Sequence, residues 1–325
     1  MNKRFLAVAV AAATGALALA GCSSNGSTGG SATTPAAGGQ TSASTAQASG
    51  PGVTIGLSLS TLNNPFFVSV RDGAQKEADA LGAKLTVTDA QNDATTQANQ
   101  IQNFQAQQLQ SVIINAVDST AAGPIVAPLI AAKVPVIAVD RAVTGADVNS
   151  FIASDNVQGG KMAADALAKA IGEKGSVIVL EGTAGTSAAN DRNKGFTQGI
   201  AAYPNIKVVA SQPADFDRTK GLDVATNLLQ AHPDAVGIFA ANDEMALGAV
   251  QALGDKAGKS VFVVGFDGTS DGQAAIKAGT MVASVAQQPE QLGKSAVDAA
   301  VKLVHGQTVE KTVAVPVVVL TKDSL

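Results

Sequence analysis

The chain of 325 residues is 46% hydrophobic and 15% charged, with 22 basic and 26 acidic side chains for a formal charge of −4. That is too apolar for a disordered polymer and sufficient for a large core, while the acid excess and the lack of any basic cluster argue against a nucleic-acid partner. One cysteine cannot close an intramolecular disulfide, and two histidines, His232 and His305, are too few and too far apart to suggest metal or redox chemistry, so no cofactor is expected.

Lys3 and Arg4 precede an alanine-rich apolar run from Phe5 to Leu19, the basic-then-apolar build of an export signal, assigned to residues 1–21. The sole cysteine stands in Leu19-Ala20-Gly21-Cys22, which resembles a bacterial lipobox and implies that Cys22 becomes a lipid-modified N-terminus on the outer face of the cell membrane or its periplasmic side. From Ser23 to Gly50 there is neither charge nor any aliphatic side chain larger than alanine. Such a segment cannot offset the entropy of ordering, and residues 22–51 are expected to act as a flexible tether with a reach of about 30 Å. No later apolar run approaches the ~20 residues of a membrane helix, so contact with the membrane is expected through the anchor alone.

The rest of the chain alternates short apolar runs with helical stretches. Val53–Leu57, Leu85–Val87, Val112–Ile114 and Pro135–Val139 read as buried strands, and Val177–Leu180, Ile206–Val209, Val236–Phe239 and Val261–Val264 repeat the series at similar spacing. This pattern predicts an α/β fold of two similar doubly wound parallel sheets. Near the C-terminus, Pro289 opens a helix with Leu292, Ala296, Ala299 and Leu303 on one face, and Gly306 closes it.

Ligands of open α/β sheets bind beyond the carboxyl ends of the strands. The residues there are Asn64, Phe66, Phe67, Asn115, Asp140 and Arg141 in the first half, and Arg192, Phe216, Asn242, Asp267 and Gln287 in the second. Some have local explanations: Asn64 and Asn242 suit helix N-caps, Asp267 an Asp-Gly turn, and the two Phe a helix start. Arg141, Arg192, Gln287 and Phe216 cap nothing. Planar donor–acceptor groups match sugar hydroxyls, aromatic faces match the C–H faces of a sugar ring, and two Asp against two Arg imply a neutral ligand.

Longer strings carry a resemblance. Ser60–Ala78, Ile152–Asn156, Ala184–Ala189, Ser211–Arg218, Ala231–Asp234, Asn242–Ala249 and Val263–Thr269 closely resemble the sugar-type periplasmic binding proteins of bacterial ABC importers, the ribose binders in particular, over essentially all of Gly52 to Leu325. The resemblance implies a type I fold whose lobes are joined by three crossings, near Ser154–Asp155, Gln287–Gln288 and Val315–Val317. One lobe is expected to comprise 52–154 with 288–316, and the other 155–287 with 317–325. It further implies that the eight polar side chains hydrogen-bond a monosaccharide, D-ribose first, while Phe66, Phe67 and Phe216 sandwich its ring. Another pentose, or a furanose-like signalling molecule of the autoinducer-2 type, is the alternative. The partners implied are a separate permease and ATPase, with the binding protein itself monomeric.

Rival classes fare poorly. Gly254–Ser260 has three residues between its glycines where a phosphate-binding loop needs four, and it precedes a strand. His232, in Ala231-His-Pro-Asp234, sits at a helix end that suits a capping or solvated role, so an enzyme is not expected. Sugar-responsive repressors share the two-lobed fold, but they require an N-terminal helix-turn-helix where this chain has its apolar signal and polar segment.

Overall fold

The computed structural model describes residues 52–325. The expected export signal, Cys22 and the expected tether lie outside the described residues. The first sheet is built from β1 (Thr54–Leu59), β2 (Lys84–Asp89), β3 (Ser111–Ile114), β4 (Val136–Val139), β5 (Ser150–Ser154) and β11 (Thr312–Val315), in the order β11-β5-β4-β3-β1-β2. The second contains β6 (Gly175–Glu181), β7 (Ile206–Pro213), β8 (Ala235–Ala240), β9 (Phe262–Asp267), β10 (Ala283–Ala286) and β12 (Val318–Thr321), ordered β12-β10-β9-β8-β6-β7. The two orders coincide strand for strand, which makes the duplication expected from the spacing a structural fact.

Helices α1 (Pro65–Ala80), α2 (Ala94–Ala106), α3 (Ala122–Ala131) and α9 (Pro289–Val304) cover the first sheet; α4 (Asn156–Ala170), α5 (Ser187–Ile200), α6 (Arg218–Ala231), α7 (Asp243–Leu253) and α8 (Ser270–Ala278) belong with the second. Alternation along β3 shows why Val112, Ile113 and Ile114 are all apolar. Ile113 packs with α1 and α9 on one face, whereas Val112 and Ile114 pack with Ile101 and Phe104 of α2 on the other. Helices meet at small residues: a Cβ on Gly160 of α4 would lie 2.3 Å from the Arg192 carbonyl oxygen of α5, so only glycine permits that crossing.

The chain passes between the sheets three times: from β5 to α4 around Asp155, from β10 to α9 around Gln287–Gln288, and from β11 to β12 around Pro316–Val317. The last passage explains the one departure from a parallel copy. β11 runs parallel to β5 and leaves at its carboxyl end, so β12 enters the second sheet from its carboxyl edge and pairs antiparallel with β10. All other pairings are parallel. The carboxyl edges of both sheets therefore border the three crossings.

Candidate functional site

Nine of the eleven side chains expected at the strand ends line one cavity: Asn64, Phe66, Phe67, Asp140 and Arg141 from the first sheet's side, and Arg192, Phe216, Asn242 and Asp267 from the second's. Ala188 on the first turn of α5 completes the lining, and a methyl group carries no sequence signal for such a role. The free space inside it is narrow, about 10 Å³, far below the ~300–1,000 Å³ typical of drug-sized pockets. A wider hollow, lined by Leu229, Pro233, Val236 and Lys256, lies at the opposite, amino edge of β8.

Asn115 and Gln287 stand directly behind the lining. The Asn115 amide donates to Asp140 Oδ2 at 3.3 Å and to the Val139 carbonyl at 3.1 Å, and the Gln287 amide donates to Asp267 Oδ1 at 2.6 Å. Each thus holds one of the two cavity carboxylates.

Local folding sets the positions. Asn64 and Asn242 are the N-caps of α1 and α7, accepting from the Phe66 and Met245 amides, each at 2.9 Å, while both also face the cavity. The local and the functional explanations are both true of them. The Asn242 amide donates to the Phe216 carbonyl at 3.2 Å, tying the β7–α6 loop to α7. Asp140, Phe216 and Asp267 have φ of 63°, 59° and 114°. Positive φ is uncommon outside glycine, and three such residues around one cavity mark a place where strain is held for a purpose.

The arginines are locked from behind. Arg192, on the buried face of α5, donates to Asn156 Oδ1 and to the Ala241 carbonyl, both at 2.8 Å, and reaches Asp267 Oδ1 at 3.4 Å. Its guanidinium lies 3.9 Å from the Phe266 ring centroid and 5.5 Å from that of Phe216. Arg141 donates to the Ala116 carbonyl at 3.1 Å, lies 3.9 Å from Asp140 Oδ2, and sits against Phe67 and Phe216 at 5.2 and 5.6 Å. Phe66 and Phe67 meet edge to face at 5.2 Å.

Burial dominates the electrostatics. It pushes the Asp140 carboxyl up against the pull of Arg192, Arg141 and the Asn115 amide, and pushes Asp267 well up against Arg192. It pulls Arg192 down, and Arg141 down to about 10. Three buried atoms of this group find no hydrogen-bond partner among the described residues: Asp140 Oδ1, Arg141 Nε and Gln287 Oε1. Buried polar atoms are nearly always paired, so two acceptors and a donor left free around one small space await a partner that offers both hydroxyl hydrogens and hydroxyl oxygens.

Sequence reasoning missed the supporting layer. Gln97 of α2 ties β1 to the segment after β3, donating to Ser58 Oγ at 3.2 Å and to the Asn115 carbonyl at 2.9 Å and accepting from the Val117 amide at 2.9 Å. A set of bonds also spans the two halves without lining the cavity. The Ser119 amide donates to the Gly185 carbonyl at 3.1 Å, the Ser187 amide to Ser119 Oγ at 3.1 Å, and the Ala142 amide to Ser187 Oγ at 2.8 Å. Gln97, Ser119 and Ser187 are ordinary surface residue types in sequence, and only the topology brings them to this edge. His232 and His305 are the C-caps of α6 and α9, and Gly254–Ser260 forms a short 3-10 helix and a turn ahead of β9. Among the described residues, no three His, Cys, Asp or Glu side chains are grouped so as to share a metal ion.

Comparison with known proteins places this geometry in context. Residues 55–308 match the family model described as periplasmic binding protein domain. The ribose import binding protein of Salmonella typhimurium is 53% identical over 257 residues, covering 79% of this chain and 86% of that protein. Its Escherichia coli K12 counterpart is 51% identical, covering 83% of this chain and 91% of its own. An ABC transporter periplasmic solute-binding protein of Actinobacillus succinogenes, solved with bound D-allose, superposes with a TM-score of 0.79 at 34% identity, over 84% of this chain and 98% of that one.

Proposed function

The chain belongs to the periplasmic binding protein family, and on that premise we propose that it captures one monosaccharide, D-ribose, between its two sheets and delivers it to the permease and ATPase of an ABC importer. The observation that carries the reading is the trio of buried, unpaired atoms on Asp140, Arg141 and Gln287 beside a small cavity flanked by three Phe rings. Ribose is favoured over other sugars because relatives at 51% and 53% identity are ribose import binding proteins.

In this reading Asn64, Asn115, Asp140, Arg141, Arg192, Asn242, Asp267 and Gln287 hydrogen-bond the hydroxyls, and Phe66, Phe67 and Phe216 hold the ring. The lobes divide as 52–154 with 288–316, and 155–287 with 317–325. Because the binding groups come from both lobes, the sugar contacts all of them only when the lobes are closed, so it shifts the population toward the closed form that the permease recognises. Two carboxylates and two guanidiniums balance, which disfavours a charged ligand. The activity is capture and release by a monomer, not catalysis. At the N-terminus, the lipobox makes Cys22 a lipid attachment point, and the protein works on the outer side of the membrane.

The experiment is a melting series with D-ribose, D-arabinose, D-xylose, D-glucose and D-galactose at equal concentration. A ligand present at a thousandfold excess over its Kd adds about 4 kcal/mol of stability. Ribose is expected to raise Tm most, by ~8–16 °C at ~2–4 °C per kcal/mol. A shift with a hexose and none with ribose overturns the substrate; no shift with any sugar or with a furanose-like signalling molecule overturns the binding reading.

A further inference from the structure

The mechanism above leaves one buried carboxylate unused. Asp243 is the first residue of α7, fully buried, and does not line the cavity. It follows Asn242, which does. Its Oδ2 accepts from the Thr269 amide at 2.7 Å and from Thr269 Oγ1 at 3.0 Å, and its Oδ1 accepts from Ser284 Oγ at 2.6 Å. Ser284 Oγ in turn accepts from the Gly268 amide at 3.0 Å.

These four bonds converge on one turn. Gly268 and Thr269 directly follow Asp267, the cavity carboxylate, whose φ of 114° holds it outside the ordinary regions of backbone space. A residue so placed persists only where its surroundings over-determine it. Asp243 fixes the two residues after it and ties them to α7 and, through Ser284, to β10. The chain also clears room for the carboxylate. A Cβ on Gly265 would stand 2.3 Å from Asp243 Oδ1, and one on Gly272 2.3 Å from Oδ2. Asp243 makes no ion pair with a Lys or Arg among the described residues; it is held by an amide and hydroxyls at the N-terminus of α7, where the helix dipole favours a negative charge. Burying a carboxylate is costly, and a merely space-filling role would be served by an apolar side chain.

We propose that Asp243 is a positioning residue for sugar binding, clamping the Gly268–Thr269 turn so that Asp267 presents its carboxylate to the ligand, Arg192 and Gln287 in one fixed orientation. This rests on the sugar-binding reading for its consequence, though the clamp itself does not.

The test is a double-mutant cycle with Asp243→Ala and Asp267→Ala, read by calorimetric titration with D-ribose and by hydrogen exchange of the Gly268 and Thr269 amides. If Asp243 acts through Asp267, Asp243→Ala alone weakens ribose binding by about tenfold, and by less than about twofold when Asp267 is already alanine. It also exposes the two amides to exchange while amides of β8 stay protected. Equal losses of affinity in both backgrounds overturn the proposal, as does unchanged protection of the Gly268 and Thr269 amides. Ser284→Ala, which cuts only one arm of the clamp, serves if Asp243→Ala does not fold: it is expected to give a smaller loss with the same dependence on Asp267. Failure of the unmutated protein to bind any sugar would sink the functional reading, and the exchange data would still decide the clamp.

Discussion

Replacing Asp140 by Asn separates binding from stability. Asparagine tolerates the left-handed backbone at this position, φ 63°, and has the shape of the carboxylate, so the exchange alters charge and hydrogen bonding with little change of packing. In the structure, one oxygen accepts from Asn115 at 3.3 Å and the other finds no partner among the described residues. Burial outweighs the two arginines and raises the carboxyl, so a neutral amide relieves a burial cost and should not lower stability in the absence of sugar. Binding behaves differently. A hydroxyl that donates to the carboxylate loses a charge-assisted bond worth ~1.5–3 kcal/mol. At ~1.4 kcal/mol per decade, the affinity for D-ribose should fall about 10- to 150-fold. Calorimetric titration gives Kd, and urea denaturation without sugar gives stability. An affinity within about twofold of the unmutated protein, or a loss of ligand-free stability as large as the loss of binding, would refute the reasoning.

Three further outcomes are expected. Ser119→Ala and Ser187→Ala each remove a hydroxyl that bridges the two halves outside the cavity, so each should weaken ribose binding by ~0.5–1.5 kcal/mol, mainly through faster dissociation, and leave the ligand-free melting temperature in place; unchanged dissociation rates in stopped-flow would count against a closing role. Burial pushes Asp243 up to about 6, so the folded state binds a proton that the unfolded chain has already released. That contribution is complete below pH 4 and is lost as pH rises through 6, about 3 kcal/mol at ~1.4 kcal/mol per pH unit; Asp243→Asn should flatten the fall in ligand-free stability over this window, and an unaltered slope would contradict the assignment. Cys22→Ser should abolish lipid labelling and release the protein from the membrane fraction without altering its sugar affinity, and equal labelling of both forms would exclude the anchor.

The parts of this molecule that were legible in its sequence are those where one physical demand acts alone. Parallel strands buried on both faces must be continuously apolar, so β1, β3, β4, β6, β8 and β9 stand out as Val/Ile-rich runs. The polar residues that follow them stand out because both halves repeat the arrangement. β5 and β10 were not recognisable as strands, because Ser150, Ser154 and Ser284 lower their apparent strand preference; neighbouring strands and buried hydrogen bonds, such as Ser150 Oγ to the Glu310 carbonyl at 2.8 Å, hold them in place. The edge strands β11 and β12 are short, four residues each, and only partly buried. At the site, side chains that face the cavity were readable from residue type and position after a strand. Those that act from behind, Gln97, Asn156 and Asp243, are specified by contacts made across the fold, and nothing in their local sequence marks them. Asn64 and Asn242 show the limit of weighing a local against a functional explanation, since a single side chain satisfies both.

The central claim is that one monosaccharide is held by groups from both lobes. Its most direct measurement is isothermal titration of the purified protein with D-ribose, alongside the same titration of Asp140→Asn from one lobe and Arg192→Lys from the other. The account predicts one sugar per chain for the unmutated protein and a loss of affinity in both variants, since a lysine cannot replace the bonds Arg192 makes to Asn156, Ala241 and Asp267. Ribose binding that survives both substitutions undiminished, or a stoichiometry other than one, would contradict it.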